Sequence, residues 1–185
     1  MKILIINNSN KYDIEIESIL NDYFVYLNNF CAIIPRYEIM MASDELRKEV
    51  VKMNAESQNI TQTFIEYFQN NAYLELKGEL AKHFKVEELS QSKTIILSKD
   101  SKISYPWGEA NSFLAVIKNI TKYNIWHEFS HTFGLDDHYY QENKKEKSIC
   151  TLENCIMRYG KSSLEFCESG KLELRRLVNE IVNIA

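Results

Sequence analysis

Three of the chain's four histidines fall within one short window, His127-Glu128-Phe129-Ser130-His131-Thr132-Phe133-Gly134-Leu135-Asp136-Asp137-His138. On a helix, residues four apart lie one turn apart on the same face, so His127 and His131 point the same way. Two neutral imidazoles at that spacing fill two corners of a zinc tetrahedron. Glu128 follows the first imidazole. Its carboxylate can reach a water at the metal without binding the metal, which suits a general base. A catalytic zinc site needs a third protein ligand and one open corner. Gly134 can adopt positive φ, end the helix and turn the chain back. Asp137 then arrives as an oxygen ligand, with His138 the neighbouring candidate. A bare His-Glu-x-x-His arises by chance, and Gly134 with Asp137 or His138 at fixed offsets is what lifts this one above that background. The remaining histidine, His83, lies outside the window and reads as an ordinary surface or core residue.

The other residues with metal chemistry are cysteines. There are four, Cys31, Cys150, Cys155 and Cys167, and the last three cluster. In a reducing compartment clustered cysteines point to metal ligation rather than disulfides.

Regular elements must position these groups. Ile16, Ile19, Leu20, Tyr23, Phe24 and Leu27 recur at helical spacing and predict a helix. Phe30 to Met41 reads as a strand, with Pro35 restricting it to an edge or a bulge. Leu46, Val50 and Met53 mark a second helix. Ile60, Phe64, Tyr67 and Phe68 open a third, continuing past Leu76 and Leu80. Thr94 to Leu97 is a short strand, and Trp107 to Ile117 contains another around Phe113 to Ile117. The histidine window forms its own helix. Trp126 and Phe129, beside its ligands, read as core. An irregular segment follows, and Leu174, Leu177, Val178, Ile181 and Val182 predict a C-terminal helix. The N-terminal Met1-Lys2-Ile3-Leu4-Ile5-Ile6 reads as an opening strand. Its apolar run is too short for a signal peptide or a membrane span, so the expectation is a cytoplasmic protein.

With 185 residues, the chain is the size of one domain. Its net charge of −4 and lack of a Lys/Arg-rich block argue against a nucleic-acid partner. No membrane partner is expected either.

His127-Glu128-x-x-His131-x-x-Gly134-x-x-Asp137 resembles the extended zinc signature of the metzincin metallopeptidases. Most metzincins carry His at the last position. Snapalysins carry Asp, and Gly134-Leu135-Asp136-Asp137-His138-Tyr139 is similar to their segment. Metzincins also have a methionine-containing turn under the zinc, and Cys155-Ile156-Met157-Arg158-Tyr159-Gly160 looks like it. Within the clan the chain most resembles the archaemetzincins, through Cys150, Cys155 and Met157 in the spacing Cys-x4-Cys-x-Met, Phe166-Cys167, and Trp107-Gly108-Glu109-Ala110. The likeness covers about residues 94 to 177.

Three features depart from archaemetzincins. Asp137 stands in place of His. An extra stretch, about Tyr139 to Ile149, separates the zinc motif from Cys150. The final Cys-x-x-Cys is broken, because Cys167 is followed by Glu168, Ser169 and Gly170. The family's four cysteines hold a second, structural zinc. Here Cys150, Cys155 and Cys167 are the candidates for it and one ligand is missing; Cys31 and His138 are the available substitutes.

The resemblance implies a small α/β, metzincin-like zincin fold: an N-terminal mixed sheet with helices, the active-site helix, the Met-turn and a C-terminal helix. It would form a single zinc metallopeptidase domain over 1–185, with an N-terminal part to residue 134 and a C-terminal part over 135–185. The implied activity is hydrolysis of peptide bonds in a peptide or protein substrate, with catalytic zinc on His127, His131 and Asp137 and with Glu128 as general base. Tyr159, two residues after the turn methionine, resembles a tyrosine that some metzincins use as an extra ligand or oxyanion donor; a packed aromatic is the rival reading. The alternative function is a non-catalytic zinc-binding structural or regulatory module of the same fold. Hydrolysis of a non-peptide amide would use the same residues.

Overall fold

A computed structural model describes residues 1–56, 92–99, 108–110, 114–142, 145–148, 150, 152, 155–158 and 164–184. It is a mixed α/β structure built on a five-stranded sheet. β1 (Lys2–Asn7) is central, and its run of Ile and Leu is buried on both faces, as in an interior parallel strand. β2 (Glu38–Met41) and β3 (Ser92–Leu97) flank it, both parallel to it. β5 (Leu114–Ile117) extends the parallel set from β3, and β4 (Gly108–Ala110) closes the edge antiparallel to β5. The order is β2-β1-β3-β5-β4.

α1 (Asp13–Leu27) crosses from β1 to β2, burying Ile16, Leu20, Tyr23, Phe24 and Leu27. α2 (Asp44–Glu56) follows, with Leu46 and Val50 buried. α3 (Lys122–His131) carries the histidine motif, and α4 (Glu168–Ile184) ends the chain with Leu174 and Val178 in the core. Among the described residues no helix is long and apolar enough to cross a membrane.

Several expectations change here. The strand expected over Phe30 to Met41 shortens to Glu38–Met41. It lies at the sheet edge, but Pro35 stands outside it. The pairing starts where Glu38 N–H donates to Met1 O (3.0 Å), while Arg36 O is taken by the N-terminal ammonium (2.7 Å). β4 was not expected as a strand. The segment between the motif and the last helix is not wholly irregular: β6 (Tyr139–Glu142) and β7 (Lys145–Ser148) pair antiparallel. The third expected helix, Ile60 to Leu80, lies outside the described residues, as do His83, Trp107, Phe113 and Tyr159.

Candidate metal centres

α3 is capped at its start by Thr121, whose Oγ1 accepts the backbone N–H of Asn124 (3.1 Å). Its inner face is fixed to α1. Tyr23 packs edge-on against Trp126 and Phe129, each with ring centroids 5.4 Å away. The Tyr23 hydroxyl meets Ser130 Oγ at 2.9 Å, and Trp126 Nε1 donates to Ile19 O (3.0 Å). Trp126 and Phe129 are therefore core, as the sequence suggested. The opposite face presents His127 and His131. Glu128 is also buried, at 5% exposure.

After His131 the chain turns at Gly134, with φ +97°. Gly134 N–H donates to His131 O (2.8 Å), and Leu135 N–H reaches back to Ser130 O (3.4 Å). This glycine-based helix stop brings Asp137 back over the histidines. Each imidazole is oriented by the main chain. His127 Nδ1 donates to Ile156 O (2.8 Å), and His131 Nδ1 donates to Leu135 O (2.6 Å). With the proton on Nδ1, each Nε2 presents its lone pair, the arrangement metal-binding histidines use.

The two Nε2 atoms are 3.2 Å apart, and Asp137 Oδ1 lies 3.3 Å from one and 3.5 Å from the other. For zinc bonds of about 2.0–2.1 Å, a tetrahedron has ligand–ligand edges of about 3.3–3.4 Å. The triangle fits. Oδ1 is itself buried with no hydrogen-bond donor, although the Asp137 side chain as a whole is 36% exposed. Three acceptors facing one another need a cation between them, and an imidazole–imidazole–carboxylate set suits zinc. Burial alone would raise the Asp137 carboxyl, but the two imidazoles hold it well below the usual carboxylate range. Burial would lower His131, yet Asp137 and Glu128 together raise it. The pull of Glu128 places its charge near the same point.

A turn supports this centre from below. Cys155 bridges to Glu165, and Ile156 N–H donates to Glu165 O (2.7 Å). Met157 is fully buried in the turn. The Tyr123 hydroxyl, one helical turn before His127, lies 2.9 Å from Ile156 O and 2.7 Å from Arg158 O. Sequence reasoning gave Tyr123 no role; its spacing from His127 was the available signal.

A second group could also hold a metal ion. His138, Cys150, Cys155 and Cys167 each offer one ligand atom, and these atoms all lie within 4.8 Å of one another. None of the cysteines is in a disulfide. His138, the alternative third ligand for the histidine centre, belongs to this group, and Asp137 takes the place beside His127 and His131. The β6–β7 hairpin explains how: Tyr139 pairs with Ser148, so the extra stretch doubles back and returns Cys150 to His138. Cys31 is buried in the core away from both groups. Burial pushes the Cys155 thiol up. Burial also opposes ionisation of Cys167, but the Ser169 hydroxyl and the Gly170 N–H outweigh it and bring that thiol down.

No protein-family model matches the chain, and neither a curated protein nor a solved structure matches it.

Proposed function

We propose that the protein is a zinc-dependent peptidase of metzincin type, most similar to archaemetzincins but with a snapalysin-like aspartate as third ligand. The carrying observation is the convergence of His127 Nε2, His131 Nε2 and Asp137 Oδ1 at 3.2–3.5 Å, with Glu128 on the same helix. The resemblance of the motif and of the Met157 turn supports the same reading.

Zinc held there would supply a Lewis acid for the attacking water and the scissile carbonyl. The chain supplies the rest. His127 and His131 are locked in one tautomer by Ile156 and Leu135. Asp137 completes the protein ligands and leaves one corner open to the side where its carboxylate is exposed. Glu128 takes a proton from the attacking water and passes it to the leaving amine. A structural zinc site has no use for such a base, which favours catalysis over the structural or regulatory module.

The test is metal content together with cleavage of a peptide library, with and without a chelator. Zinc in the protein and chelator-sensitive cleavage support the proposal. Bound zinc with no cleavage across a broad library selects the non-catalytic module.

A further inference from the structure

We propose that Cys150, Cys155, Cys167 and His138 bind a second, structural zinc ion, and that this ion fixes Asp137 as a ligand of the first. The idea goes beyond peptidase activity and is tested without it.

The geometry is that of a closed site. His138 Nδ1 lies 3.3 Å from Cys155 Sγ and 3.1 Å from Cys167 Sγ. Zinc bonds of about 2.3 Å to sulfur and about 2.0–2.1 Å to nitrogen give N–S edges of about 3.6 Å, so closure needs shifts of a few tenths of an ångström. Three thiolates and one imidazole are a soft, four-coordinate donor set that selects zinc.

Two features aim the group at a cation. Cys167 immediately precedes α4, where the unpaired N–H groups of the helix favour a thiolate. Gly170 N–H donates to Cys167 Sγ (3.4 Å), and Cys167 N–H donates to Cys155 Sγ (3.5 Å). Gly170 also makes the space. A Cβ there would lie 2.9 Å from His138 Cε1 and 3.6 Å from Cys167 Sγ. A side chain at 170 and the imidazole of His138 exclude one another. The glycine that leaves the sequence one cysteine short is therefore the residue that admits its replacement.

The link to the first centre is covalent. Asp137 and His138 are successive residues, so one peptide joins a ligand of each ion. Asp137 is also the one ligand of the first triad that is not on α3. His138 N–H donates to Met157 O (2.8 Å), beside the Ile156 carbonyl that orients His127. Losing the second ion frees the His138 ring and the Cys155 end of that turn, and Asp137 loses its fixed position.

The experiment uses the full chain loaded with zinc, and separately with cobalt as a spectroscopic substitute. The expected result is two metals per chain and a thiolate-to-cobalt charge-transfer band. Asp137→Ala should lose one metal and keep the band. His138→Ala and Gly170→Ala should weaken the band, speed release of the second metal to a chelator, and weaken the first site on the order of 10–100-fold, as for other supports of metal ligands. His138→Cys should restore both metals with a stronger band, and circular dichroism should find all variants folded. One metal per chain with no band overturns the proposal. So does a His138→Ala protein whose band and release rate are those of the parent. A weakened second site with an unchanged first overturns the coupling. Hydrolysis is not a readout, so an inactive but two-metal protein refutes the peptidase and supports this site.

Discussion

Gly134→Ala isolates what positions Asp137. At φ +97° an alanine pays the strain of a backbone region that L-residues avoid. Such strain costs about 1–3 kcal/mol. Stiffening of the unfolded chain returns roughly 0.4–1 kcal/mol, leaving a net loss of about 1–2 kcal/mol. Sterics add little, because the new Cβ would meet Leu177 Cδ2 at 3.5 Å, an ordinary contact. For a chain of this size each kcal/mol moves Tm by about 2–4 °C, so the metal-free protein should melt about 2–8 °C lower. The check is thermal unfolding of the parent, Gly134→Ala, Leu177→Ala and the double variant, all without metal. A backbone origin requires the two losses to add within about 0.5 kcal/mol. If Leu177→Ala rescues Gly134→Ala, the cost is steric and the reasoning fails. If Gly134→Ala melts with the parent, the positive φ is not required. The same variant should bind zinc more weakly at the histidine centre, since the relaxed turn moves Asp137 away from His127 and His131.

Other perturbations separate the remaining roles. Glu128→Gln should keep its zinc and lose about 10²–10⁴ in kcat, the contribution of a general base; loss of the metal in a metal assay would make Glu128 a ligand instead. Asp137→Ala should weaken zinc at the histidine centre more than His138→Ala does, measured by competition with a chromophoric chelator, and the reverse ranking would overturn the ligand assignment. Tyr159→Phe should lower kcat about tenfold with KM unchanged, less than the ~10²–10³ lost with a sole oxyanion donor; an unaltered kcat returns Tyr159 to packing. Burial lowers Lys93 to about 8, so between pH 8 and about 10 the folded chain holds fewer protons at this site than the unfolded chain, and its contribution to stability rises with pH. Denaturant unfolding of the metal-free parent and of Lys93→Met should therefore diverge in the parent's favour as pH rises from 8 to 10, and parallel curves would mean that Lys93 is not buried as a charge.

Much of the histidine centre was legible because it is local. His127, Glu128 and His131 share one helix turn, and Gly134 announces both the helix stop and the positive φ that the structure contains. α1, α2 and α4 were legible from apolar periodicity, and β3 and β5 from short β-branched runs. The strand at 30–41 was overdrawn, because apolar composition says nothing of where pairing begins. β4 and the β6–β7 hairpin escaped because their residues lack apolar alternation; partners, not propensity, make them strands. The destination of His138 was also hidden. Asp137 and His138 are adjacent, and which one turns toward α3 depends on the hairpin that returns Cys150 and on the room at Gly170, both long-range facts. Tyr123 looked like a core aromatic, since nothing in a sequence says which carbonyl a phenol will meet.

The carbonyls of Ile156 and Leu135 hold the two imidazoles, and this limits how the site can change over generations. A side chain that oriented a histidine could be exchanged in a single codon change. A main-chain carbonyl is offered by every residue type, so substitutions at 135 or 156 alter packing but leave the acceptor in place. The orientation of His127 and His131 is thus shielded from point substitution and exposed to changes in chain length. A single deletion between Gly134 and Asp137, or in the turn at 155–158, would swing a carbonyl away and spoil a ligand whose own codon is untouched. Variation in this protein should accumulate as substitutions in those two segments, while their lengths stay fixed.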